Sequence, residues 1–157
     1  VFHVAEILLA ISLVLPWPSA KRAEHAQRFA PLILEASDRY DVDPLLVVAL
    51  IARESSFRPR VRGKRDRADI GLMGLRRGDD CVGGEKDVAR ILRPRFNVMA
   101  GVRCLARHVR RCGDIERALS RYNGRGCTRN SPHSRRVLAS YHRIRMRLLS
   151  TGKKPWI

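Results

Sequence analysis

Acid is scarce in this chain relative to base. Of its 157 residues, 15 are Asp or Glu against 32 Lys or Arg, which leaves a formal net charge of +17. Such a surplus attracts nucleic acids, acidic lipid surfaces and anionic wall polymers, and says little about fold. The motifs that read nucleic acid are missing. There is no zinc-finger spacing and no recognition-helix pattern. Phosphates would therefore be attracted by charge alone, and no specific nucleic-acid partner is expected. Long hydrophobic runs are missing as well. Ile7 to Leu15 is almost wholly apolar, but it is too short to span a bilayer comfortably. No segment reads as a strand, and no Cys-x-x-Cys knuckle is present, which argues against a zinc site.

What is present fits one domain with a real hydrophobic core. Residues 1–20 differ from the rest. An apolar stretch runs into Pro16, Trp17, Pro18, Ser19 and Ala20, and the charge-dense chain begins at Lys21. This pattern resembles an export signal with a cleavage point near Ala20, although Glu6 stands where positive charge is usual. The alternative is an amphiphilic first helix packed on the domain. The expected organisation is a signal-like segment at 1–20, a single domain at 21–150 and a tail at 151–157.

Four cysteines, Cys81, Cys104, Cys112 and Cys127, suggest two disulfides in a small exported protein. Cys104 and Cys112 fall on or at the end of one predicted helix. Eight positions at 1.5 Å per residue separate them by roughly 12 Å, beyond disulfide reach. The two other pairings remain open.

Residues 21–38 read as one helix, and Asp38 to Asp43 as a turn. Asp43 then caps a new helix with Pro44 at its first position. The run Leu45 to Ala52 is apolar on nearly every side, as in a buried central helix. Residues 60–95 read as a long loop with short helical pieces, and its one apolar knot is Ile70 to Leu75. Asn97 is predicted to cap the next helix, with Val98, Val102, Leu105 and Val109 as its stripe. Asp114 caps another, and Val137, Tyr141, Ile144 and Leu148 mark the inner face of the last. The fold class is all-α, with one buried hydrophobic helix surrounded by amphipathic helices and a loop-rich cleft.

Glu54, at the exit of the most apolar helix, is the candidate for chemistry. A carboxyl half-buried among apolar groups keeps its proton towards neutrality, and acid-catalysed glycosidic cleavage needs that proton. The bland alternative is a surface Glu paired with Arg53 or Arg58. Glycines in Gly71-Leu72-Met73 can bring backbone close to a ligand, or the segment can be a core plug with Met73 filling space. Tyr122-Asn123-Gly124 closes a helix, and Tyr and Asn can also hold a sugar.

Four separated motifs agree beyond what each says alone. ALIARESSFRP at 49–59, GLMGLR at 71–76, FNVMAGVRCLARHV at 96–109 and ALSRYNGRG at 118–126 resemble the catalytic domain of lytic transglycosylases, in the goose-type lysozyme superfamily. The likeness covers about Tyr40 to Tyr141. It implies a lysozyme-like fold and cleavage of the β-1,4 bond between N-acetylmuramic acid and N-acetylglucosamine in bacterial peptidoglycan. By the same resemblance Glu54 is the catalytic acid, Ser55 and Ser56 flank it and contact substrate, and Gly71, Leu72 and Met73 line the cleft. Tyr122 and Asn123 sit near the scissile bond, Asn97 and Gly101 are structural, and no metal or organic cofactor is needed. A monomer acting in the periplasm or outside the cell is expected, in contact with glycan strands and anionic envelope surfaces.

One departure stands out. Where the family carries glutamine after the methionine, this chain has Gly74. The loop from Arg60 to Asp69 is also unusually basic, with five Arg or Lys and two Asp, and is expected to follow the anionic peptides of the wall. Two other functions are compatible with the residues. One is a hydrolytic lysozyme using Asp66 or Asp69 to position water. The other is a non-catalytic binder of peptidoglycan or another polyanion.

Overall fold

The computed structural model describes residues 2–15, 20–63 and 69–150. Among them the chain is helical, with two isolated antiparallel bridges, Arg62 to Ile70 and Ile70 to Leu75, in place of a sheet. The elements are α1 (Val4–Val14), α2 (Ala20–Gln27), α3 (Ala30–Tyr40), α4 (Pro44–Ser55), a 3₁₀ turn at Asp80–Val82, α5 (Val88–Ile91), α6 (Pro94–Cys112), α7 (Ile115–Tyr122) and α8 (Pro132–Ser150).

Helix α4 is the axis of the core. Its start is local chemistry: Asp43 accepts a 2.8 Å bond from the Leu45 amide and Pro44 occupies the first turn, where a missing N–H costs nothing. Every residue from Pro44 to Ile51 is buried. The same Asp43 carboxylate accepts the Tyr141 hydroxyl at 2.5 Å, which ties α8 to the head of α4. Val137, Tyr141, Ile144 and Leu148 of α8 are all buried, as their spacing requires.

Two expectations are corrected. The helix read at residues 21–38 is broken into α2 and α3. Pro31 lies in the first turn of α3, and its ring cannot tolerate the carbonyl four residues earlier in a continuous helix. That carbonyl belongs to Gln27, the last residue of α2. Asn97 does not cap α6. Arg93 takes the cap position ahead of Pro94, so Asn97 lies inside the helix, fully buried. The turn after α3 is correspondingly shorter, with Asp41 in the left-handed region at φ 54°.

The apolar segment near the N-terminus forms α1, with Ile7, Ala10 and Ile11 buried and contacts to α3, α4 and α8. Pro16 to Ser19, where the export reading ends, lie outside the described residues. No helix among the described residues is long and apolar enough to cross a membrane.

Both disulfides form, as Cys81–Cys104 and Cys112–Cys127, with Cα separations of 5.0 and 5.4 Å. Cys104 and Cys112 share α6 and do not pair. The bridges fasten the 3₁₀ turn and the loop after α7 to that helix.

Candidate active site

The site is built where the end of α4 meets the loop at residues 70–75. Buried hydrogen bonds hold that loop in place. Asn97 receives the Met73 amide at 2.7 Å and donates to the Ile70 and Ile91 carbonyls at 2.9 and 3.0 Å. The amide group thus pairs the Met73 N–H, adds to the Leu75 amide already on the Ile70 carbonyl and ties both to the end of α5. Two glycines allow this approach. A Cβ on Gly71 would stand 2.4 Å from Asn97 Nδ2, and one on Gly101 would stand 2.7 Å from Met73 Cβ.

From the other side, Ser55 donates to the Leu72 carbonyl at 2.9 Å, and the Tyr122 hydroxyl donates to the Met73 carbonyl at 2.8 Å. The loop is therefore clamped between α4, α6 and α7. Leu72 and Met73 direct their side chains into the core, at 1% and 0% exposed. Only their backbone can face a ligand. Ser55 is buried too, while Ser56 takes the left-handed cap of α4 at φ 50°. Asn123 caps α7 and Gly124 follows at φ 82°. A pocket of about 270 Å³ opens beside Tyr122, lined also by Arg76, Asp79, His108 and Arg121.

Glu54 sits at the centre of this arrangement, its side chain 12% exposed. Burial, with a smaller contribution from the negative charge of Asp69, raises its pKa to about 7, against the pull of Arg53 and Arg76. Two other glutamates, Glu35 and Glu85, sit in different surroundings. Glu35 is gripped by both terminal nitrogens of Arg95, and that contact holds its pKa below the usual value. Glu85 is paired with Arg90 at 3.0 Å. Glu54 is not the surface ion-pair partner of the bland alternative: its near neighbour is a histidine.

That histidine, His133 in the first turn of α8, has no signal in the sequence. Its Nε2 lies 3.2 Å from Glu54 Oε1, yet the contact lacks hydrogen-bond alignment. Burial, then the charge of Arg53, lowers its pKa to about 4, so the ring is neutral beside the acid. Pro132 opens α8, and nothing local in the sequence indicates what that helix reaches.

Gly74 accounts for itself in the same geometry. Its φ is +61°, and a Cβ there would stand 2.5 Å from Glu54 Oε2. The carboxyl occupies the space a side chain would need. Asp69 is half-exposed and bound to Arg76 at 3.2 Å; Asp66 lies outside the described residues. Cys81, Cys104 and His108 cluster as metal ligands would, but both sulfurs are spent in a disulfide and cannot act as thiolates.

Residues 31–151 match the Transglycosylase SLT domain. The chain is also similar to a protein of Enterobacteria phage PRD1 named "Transglycosylase", with 32% identity over 89 residues. That alignment covers 57% of this chain and 32% of the phage protein, so the chain spans about a third of its relative's length.

Proposed function

The chain belongs to the Transglycosylase SLT family, and on that premise we propose that it is a peptidoglycan lytic transglycosylase with Glu54 as acid and then base. It cuts the β-1,4 bond between N-acetylmuramic acid and N-acetylglucosamine and leaves 1,6-anhydromuramoyl ends. The observation that carries this reading is the carboxyl of Glu54, buried beside a neutral imidazole, with its pKa raised to about 7. A carboxyl in that range holds a proton near neutrality and returns as an effective base once it has given the proton up.

Glu54 gives its proton to the bridging oxygen as the muramoyl C1–O bond breaks, and N-acetylglucosamine departs with that oxygen as its 4-hydroxyl. Positive charge develops at C1 beside the new carboxylate. The carboxylate then takes the proton of the muramoyl C6 hydroxyl as O6 bonds to C1. Glu54 ends protonated, ready for another turn. One acid suffices because the nucleophile belongs to the substrate.

The remaining assignments follow the clamp around the loop. Gly71, Leu72 and Met73 meet the sugar through backbone groups. Ser55 works from beneath by holding Leu72, and Ser56 lies at the open end of α4. Tyr122 and Asn123 flank the cleaved bond. Two disulfides favour action in an oxidising compartment, consistent with a periplasmic or secreted enzyme.

Hydrolysis is the second reading. Asp69 is the acid whose charge reaches Glu54, and it could position water if released from Arg76. Digesting purified sacculi and determining the muramoyl ends separates the readings. Anhydro ends support the lyase; free reducing ends support the hydrolase. Retention on sacculi without any soluble product would leave a binding protein.

A further inference from the structure

A second concavity begins where the catalytic helix ends. It is a groove of about 980 Å³, lined by His25 and Arg28 from the end of α2 and by Phe57, Arg58, Arg60 and Arg62 from the segment after α4. All four arginines are exposed. Among the described residues none has an acidic partner and no acidic residue lines the groove. Arg28 is braced over the Phe29 ring at 4.8 Å, and Arg58 donates to the Ser55 carbonyl at 3.1 Å.

Four guanidiniums facing one hollow repel one another. Their planar forks match carboxylates in pairs. Pro59 and Val61, both half-buried, add apolar surface among them, which suits a peptide with short aliphatic side chains better than a ligand that is phosphate alone. His25 and Arg28 lie outside residues 31–151, so one side of the groove stands outside the matched range. Arg58 is fastened to the same helix end that carries Glu54.

We propose that this groove binds the carboxylates of the wall's stem peptides and so directs the enzyme to glycan that still carries them. The inference rests on peptidoglycan being the substrate, but it is testable without turnover. The probe is insoluble sacculi, either intact or stripped of stem peptides by an amidase, in cosedimentation with the Glu54→Gln chain. Intact sacculi should bind at least about tenfold more tightly, a difference of 1.4 kcal/mol. Adding Arg28→Gln and Arg60→Gln should bring binding of intact sacculi down to the stripped level and leave stripped binding as it was. Equal binding to both sacculi overturns the proposal. So does a parallel loss on both by the arginine variant, which means general attraction. Loss by that variant on phosphatidylglycerol vesicles, with the stem-peptide preference intact, assigns the groove to lipid instead. Failure of the transglycosylase reading shows elsewhere, as the absence of anhydro ends in wild-type digests.

Discussion

Gly74 and Glu54 exclude each other's side chains: a Cβ on the glycine would lie 2.5 Å from Oε2 of the acid. The family's glutamine could not stand here unless the carboxyl moved. Gly74→Ala should therefore displace Glu54 and strain a backbone at φ +61°. A misplacement of about 1 Å costs on the order of 10²-fold in rate, and the left-handed backbone roughly 1–2 kcal/mol. Release of soluble muropeptides and thermal melting measure the two effects. An alanine variant with wild-type turnover would show that the glycine does not serve the acid.

The pH dependence follows from Glu54 and His133. Glu54 must hold its proton to begin the reaction, so turnover should fall above about pH 7, tending to tenfold per pH unit. Stability moves with the same group. The unfolded carboxyl titrates at 4.5 and the folded one at about 7, so the folded state loses relative stability as pH rises through that window. The full loss is about 3 kcal/mol. Glu54→Gln should accordingly be near neutral at pH 4 and stabilising at pH 8. His133 runs the other way: its folded pKa is lowered to about 4, so its contribution is complete above 6.5 and is lost as pH falls through 4. It is common to both proteins and cancels in the comparison. Melting curves at the two pH values decide, and an unchanged difference between pH 4 and 8 would show that Glu54 titrates normally.

Asn97 is the support beneath the loop. Asn97→Ala strands the Met73 amide and the Ile91 carbonyl and leaves the Ile70 carbonyl with the Leu75 amide alone; each group left unpaired in the interior costs about 1–3 kcal/mol. A loss near 3 kcal/mol in denaturant titration, with activity falling further than folding, is expected. A change below 0.5 kcal/mol, far under that range, would mean the loop holds itself.

The disulfides should leave no reactive thiol in denatured, unreduced protein. Closing loops of 15 and 23 residues is worth on the order of 3 kcal/mol each, so a reductant should lower the melting temperature well outside error. Close to four thiols per chain would contradict the pairing and remove the argument for an oxidising compartment.

What could be read from sequence was what local chemistry decides. Asp43-Pro44 announced α4 because a cap acts within three residues, and the period of α8 placed Tyr141 inward without further help. Helix spacing forbade Cys104–Cys112, but choosing Cys81 for Cys104 required knowing where the loop returns. A capping amide and a buried structural amide look alike in sequence, so Asn97 reads as a cap although Pro94 sets the helix start. The break before Pro31 is local chemistry too, and it overrides the helical periodicity of residues 21–38. His133 was out of reach: its place beside Glu54 is made by α8 packing on α4, and no spacing along the chain encodes that.

The role of Glu54 has its most direct test in one substitution. Glutamine keeps the shape of the side chain and removes the acidic proton. General acid help contributes roughly 10²–10⁴-fold, and the same group must also act as base. Purified sacculi digested by Glu54→Gln, folded by circular dichroism, should yield 1,6-anhydromuropeptides about 10⁴-fold more slowly than the wild type. Clearance by that folded variant at even about a tenth of the wild-type rate, well short of the range for a lost general acid, would contradict the assignment.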